Sequence, residues 1–111
     1  MAETALSPGL VETLVAAVTT TGAKTIFALP ARACVLAWQT SFNEAPSAID
    51  IDLEVSIDGV VFTVLDTSTA VGGEARTIAE VTAAQFVRVN VITNTGSKEL
   101  TVTLIAKVAN P

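Results

Sequence analysis

The sequence predicts an all-β domain: an antiparallel β-sandwich, or jelly roll, of about eight strands with an extended N-terminal arm. Three observations carry this expectation. Thr, Val and Ile number 16, 15 and 7 among 111 residues. Their β-branched side chains lose rotamer freedom in helices and pack well on pleated sheets. Apolar and polar residues alternate with period two in three separate segments, which puts one face of each in a core. Turn signals built from Gly, Asn, Asp and Pro separate the segments at short intervals, as in sandwiches and jelly rolls.

The elements follow in order. Residues 1–9 read as an arm, and residues 10–111 as one sandwich domain. In 10–20, Leu10, Val11, Leu14, Val15 and Val18 recur at helical spacing, and Ser7-Pro8 could start a helix. The segment nevertheless runs into Val18-Thr19-Thr20-Thr21, and this β-branched run favours a strand. Lys24 to Leu29 is a short strand ended by Pro30. Ala33 to Phe42 is longer, with Cys34, Leu36, Trp38, Thr40 and Phe42 on one face. Residues 43–48 form a loop.

Ile49, Ile51, Leu53, Val55 and Ile57 then alternate with Asp50, Asp52, Glu54, Ser56 and Asp58. Asp58-Gly59 suits a two-residue hairpin turn, which requires positive φ. Val60 to Leu65 returns antiparallel, and Thr67 to Glu74, with Gly72-Gly73, reads as a flexible loop. Arg76 to Val81 and Gln85 to Thr93 are strands, the second with Val87, Val89 and Val91 on one face. Asn94 to Ser97 is a turn. The last strand alternates Leu100, Val102, Leu104, Ala106 and Val108 against Thr101, Thr103, Ile105 and Lys107. The expected core is Ile49, Ile51, Leu53, Val55, Ile57, Val87, Val89, Leu100, Val102 and Leu104.

Bulk properties narrow the function. The length suits one domain, and the hydrophobic content of 50% supports a core without disulfide staples. Net charge is −5, and the six basic residues are scattered, which argues against a nucleic-acid partner. Five aromatic residues (Phe27, Trp38, Phe42, Phe62 and Phe86) are a thin supply for stacking on sugars or bases. The first 23 residues hold no Lys or Arg, as a signal peptide would. No uncharged apolar stretch nears the length of a membrane span. The expectation is a protein made in a cytoplasm, with no membrane partner.

The chemistry on offer is sparse. There is no histidine, so neither a Ser–His nor a Cys–His pair is available. The single Cys34 lies in an apolar run and reads as a small buried hydrophobe. Asp50, Asp52 and Glu54 form an acidic ladder that could share a cation. Alternate residues stand about 6.6 Å apart, so the competing reading is a solvated strand face. Arg88, inside an apolar strand, is expected to lay its stem on the sheet and pair with a carboxylate. Trp38 is expected in the core. Gly72-Gly73 lacks the strand-to-helix setting of a phosphate loop. No catalytic, cofactor or metal site is expected, and the chain is expected not to be an enzyme.

Glu54 to Leu65, with Ser56-Ile57-Asp58-Gly59-Val60-Val61-Phe62, resembles the Ser-x-Asp-Gly-x-x-aromatic hairpin of discoidin-like, galactose-binding-type jelly rolls. Ala84-Gln85-Phe86-Val87-Arg88-Val89 resembles a later strand of the same modules, and Thr101 to Leu104 the closing strand. The likeness covers about half the chain, Leu53 to Val108. Phe62 replaces the usual tryptophan, Gln85 replaces an arginine, and the disulfide framing of secreted members is absent. Ser56, Asp58, Gly59, Phe62 and Arg88 match as fold-forming residues only. With the opening Thr19-Thr20-Thr21-Gly22-Ala23, the pattern also resembles small virion proteins of tailed phages, of the capsid decoration or cement type.

That resemblance implies a structural protein on a virion surface, with the major capsid protein as partner and a homodimer or homotrimer as the working form. Contacts are expected from an edge strand, the arm, and residues 43–48 and 67–75. The alternative is a carbohydrate-binding or adhesin-type module of a phage tail or fibre.

Overall fold

The computed structural model describes residues 4–109 and contains ten strands among them, with no helix. These are β1 (Thr4–Ala5), β2 (Val11–Val18), β3 (Gly22–Ala23), β4 (Phe27–Ala28), β5 (Cys34–Phe42), β6 (Ala48–Ser56), β7 (Thr63–Ser68), β8 (Glu74–Thr77), β9 (Phe86–Thr95) and β10 (Leu100–Val108). One sheet runs β1-β4-β9-β6-β7, with β3 also on β9, and the other runs β2-β10-β5-β8.

The strand order explains why about eight strands were legible. β3 and β4 are two parts of one interrupted strand on β9. Ala23 faces Asn90 and Phe27 faces Val87, which leaves one extra residue between them. With that strand counted once and β1 set aside, eight remain. The first then pairs with the last, the second with the seventh, the third with the sixth and the fourth with the fifth, all antiparallel. This is a long hairpin rolled on itself, the jelly roll.

The N-terminal arm departs from expectation in two ways. Thr4 and Ala5 pair in parallel with Phe27 and Ala28, so the sheet is not purely antiparallel. The Leu6 N–H donates to the Ala28 carbonyl at 2.9 Å, the Gly9 N–H donates to the Ala106 carbonyl at 2.8 Å, and the Leu6 side chain is buried. Residues 4–9 are therefore docked on their own domain by one large apolar side chain and backbone hydrogen bonds. Residues 1–3 of the expected arm lie outside the described residues.

The core forms between the sheets as the period-two pattern requires. Ile49, Ile51, Leu53, Val87, Val89 and Val91 come from one sheet, and Leu14, Cys34, Leu36, Trp38, Leu100, Val102 and Leu104 from the other. Val55 is half-buried. Ile57, expected inside, is 79% exposed because β6 ends at Ser56 and the alternation no longer applies. The helical spacing in β2 is a bulge pattern. Val102 pairs with Val15 and Thr103 with Thr13, so Leu14 is an extra residue, and both Leu14 and Val15 point inward.

The Asp58-Gly59 turn forms differently from expectation. β6 and β7 are antiparallel neighbours, but residues 57–62 connect them instead of a two-residue turn. Asp58 Oδ1 accepts from the Val60 N–H (2.8 Å), the Val61 N–H (3.0 Å) and Ser56 Oγ (3.0 Å), and Ser56 Oγ accepts from the Gly59 N–H (2.9 Å). This side-chain cap replaces the backbone turn. Gly59 holds φ +81°, and a Cβ there would meet the Phe86 ring at 3.4 Å. Gly59→Val is therefore expected to destabilise the domain by roughly 1 kcal/mol or more. A melting midpoint unchanged from wild type would refute this.

Each exposed sheet edge is interrupted. β2 carries two register shifts against β10, with Ala17 at φ +51°. β7 carries an extra residue, Leu65, between the pairs Leu53·Asp66 and Glu54·Val64. β1 has two residues, and β8 has four, two of them the charged Glu74 and Arg76. Bulges, short strands and charges are the devices that keep an edge from recruiting another strand.

Candidate interaction surface

The acidic ladder is not a solvated face. Glu54 lies opposite Arg88 in the β6–β9 register and is buried. Its Oε1 accepts from Arg88 Nε at 2.8 Å and its Oε2 from Asn90 Nδ2 at 3.0 Å. The Phe62 ring covers the guanidinium at 3.9 Å from its centroid. The residue expected to pair with a carboxylate does so, and a central strand supplies it. Asp52 instead accepts from Thr67 Oγ1 at 2.8 Å, while Asp50 Oδ1 is buried with no protein partner. The three carboxylates thus have separate surroundings. Among the described residues no group of three or more His, Cys, Asp or Glu side chains converges as a metal site.

A second polar cluster closes one side of the sandwich, and sequence reasoning missed it. Trp38 on β5 is buried, and its indole N–H donates to Asp66 Oδ2 at 2.8 Å. Arg76 on β8 grips the same carboxylate through Nε at 2.8 Å and Nη2 at 3.1 Å. Arg76 Nη1 also donates to Glu74 Oε1 at 3.1 Å, and the other Glu74 oxygen accepts from the buried Ser68 Oγ at 2.6 Å. The β7 register turns Asp66 and Ser68 inward beside Leu53 and Ile51. Burial pushes the Asp66 carboxyl up, but hydrogen bonds from Arg76 and Trp38 hold it below the ordinary aspartate value. The available signal was Trp38 itself, because a buried indole N–H needs an acceptor. The cluster ties the edge strands of the two sheets together.

The expected contact loops are also held internally. The Asn43 N–H donates to the Glu99 carbonyl at 3.2 Å, the Ser47 N–H to the Thr95 carbonyl at 3.2 Å, and Lys98 Nζ to Glu44 at 2.9 Å. In the 67–75 segment, Thr67 and Ser68 belong to β7 and Glu74 opens β8. Gly73 lies in the short connection between them, close against β5. A Cβ at its position would lie 2.5 Å from the Thr40 carbonyl oxygen. Cys34 is buried, its thiol donates to the Arg32 carbonyl at 3.1 Å, and burial pushes its pKa up.

What remains open is apolar. Ile57 and Val60 are 79% exposed and Val61 is 68% exposed, all three on the connection that Asp58 caps. Beside them lies a cleft of about 530 Å³ walled by Val55, Ile57, Val61, Ala83 and Ala84, with Asp58 at its rim. Hydrogen bonds from the Val61 and Val60 amides and from Ser56 hold the Asp58 carboxyl below the ordinary aspartate value, so it is charged at neutral pH. A second depression of about 390 Å³ lies against Val35, Ala37 and Ile105. Ile105 pairs with Ala37, which makes a small apolar patch on the outer face of that sheet between the Thr103·Gln39 and Lys107·Val35 pairs.

Comparison with protein-family models, with curated proteins and with solved structures gave no match.

Proposed function

We propose that this domain is a non-catalytic structural module that attaches to the surface of a larger assembly, of the capsid decoration type, through the apolar residues 57–61. The observation that carries this reading is that rigid apolar connection. A monomer gains nothing by displaying Ile57, Val60 and Val61 on a loop braced by three hydrogen bonds to one carboxylate oxygen, whereas a partner surface would cover them. The partner implied by the sequence resemblance is a major capsid protein. Two or three copies about a symmetry axis would add weak contacts into firm attachment. The arm and the strand edges are engaged or interrupted within the domain. Attachment therefore runs through side chains and not through added strands.

A carbohydrate module needs exposed aromatic faces. Trp38 is buried, and Phe27, Phe42, Phe62 and Phe86 are half-buried, which favours the first reading. Co-sedimentation with capsids stripped of the protein tests it. Wild type is expected to pellet with the particles. The Ile57→Ser/Val60→Ser double variant, altered only at exposed sites, is expected to keep its melting temperature and stay in the supernatant. Wild type that ignores capsids yet binds a glycan array would replace this reading with the carbohydrate module.

A further inference from the structure

We propose that the cleft beside residues 57–61 receives a lysine or arginine side chain of the partner protein, its aliphatic stem on Val55, Val61, Ala83 and Ala84 and its cationic head on Asp58. The inference rests on the binding-module reading and names the chemistry of the partner. The walls of the cleft are mostly apolar, with Ser56 and Thr63 as its uncharged polar residues, and Asp58 is the one charged residue lining it. All three hydrogen bonds to that carboxylate from Ser56, Val60 and Val61 go to Oδ1, so Oδ2 is left for an incoming donor.

The combination selects one kind of occupant. A purely aliphatic side chain would fill the cleft but strip water from the Asp58 carboxylate without replacing it, which is unfavourable. An acidic side chain would be repelled. A second copy of this chain brings a net charge of −5 toward the cleft, whose one charged residue is the anionic Asp58, so it is disfavoured. A long basic side chain meets both demands, because its methylene stem packs on apolar walls while its head forms a charge-assisted hydrogen bond.

The test is an NMR titration of the full chain with the capped tripeptides Leu-Arg-Leu and Leu-Gln-Leu. The arginine peptide is expected to move the amide signals of Gly59, Val60, Val61 and Ala84. Asp58→Asn keeps an oxygen to cap the turn and removes the charge. It is expected to weaken the arginine peptide by roughly two- to fivefold, the scale of an exposed ion pair. Ala83→Leu, which narrows the cleft at its wall, is expected to reduce the shifts. Equal binding of the two peptides, or arginine-peptide binding unaffected by Asp58→Asn, would overturn the inference. Parallel co-sedimentation separates it from the functional reading. Undiminished capsid binding by Asp58→Asn refutes the basic side chain alone, whereas arginine-peptide shifts without any capsid binding support the cleft chemistry and refute the capsid reading.

Discussion

Replacing Gly73 by alanine is expected to cost roughly 3 kcal/mol, and replacing Gly72 almost nothing. Gly73 has φ +80°, where a Cβ alone costs about 1–2 kcal/mol. The added methyl would also sit 2.5 Å from the Thr40 carbonyl oxygen, a backbone atom in the middle of β5. That stretch of β5 cannot easily yield, since Thr40 Oγ1 accepts from the Glu74 N–H at 3.1 Å and Leu100 to Val108 pair along its other side. Gly72 has open space around its Cβ position. Thermal melts of the two alanine variants should therefore differ by about 10 °C. Equal melting temperatures would show that the turn does not press on β5.

Asp66→Ala is expected to cost about 2–4 kcal/mol. It leaves the Trp38 indole N–H without an acceptor in the core and removes two of the three carboxylate oxygens that hold the Arg76 guanidinium, leaving only Glu74 Oε1. The figure is held below that for a fully buried pair because the Arg76 side chain is 37% exposed. The same carboxylate gives a pH signature. Its pKa is lower folded than unfolded, so the unfolded chain binds the proton more readily. The stabilisation is complete above the unfolded aspartate value near pH 4 and fades as pH falls from there toward the folded value. Urea midpoints measured between neutral pH and pH 3 should fall for wild type and be flatter for Asp66→Asn. Parallel slopes would assign the acid sensitivity to other carboxylates.

The rolled architecture was legible because two-residue periodicity is a local property wherever one face is dry. Ile49 to Leu53, Val87 to Val91 and Leu100 to Leu104 all follow it. Two of the misses share a cause: contacts between residues far apart in sequence. Glu54 reads as solvated in its own strand, and it is Arg88 and Asn90 of β9 that engage both its oxygens, with Phe62 folded over Arg88. Trp38 reads correctly as core, but its partners on β7 and β8 lie 28 and more residues away. The Asp-Gly pair carries a two-residue turn signal, yet Asp58 spends its side chain capping Val60 and Val61, which lengthens the connection. The arm, expected to contact a partner, is anchored on its own domain by Leu6 and by backbone pairing with residues far along the chain. For the proposed attachment surface, the motif around Asp58 is visible in the sequence, but the exposure of Ile57 is not. Alternation assigned Ile57 to the core, and the end of β6 at Ser56 put it outside.

The interrupted edges of β1, β2, β7 and β8 bear on what happens when identical chains are crowded together. Fibrils grow when one chain's unpaired backbone templates the next, and each added layer presents the same open rung. Here Leu65 and the doubled shift along β2 break that rung before a neighbour can register on it. Concentrated solutions of the folded protein are therefore expected to stay free of amyloid-type fibrils, which a thioflavin assay on the native domain checks.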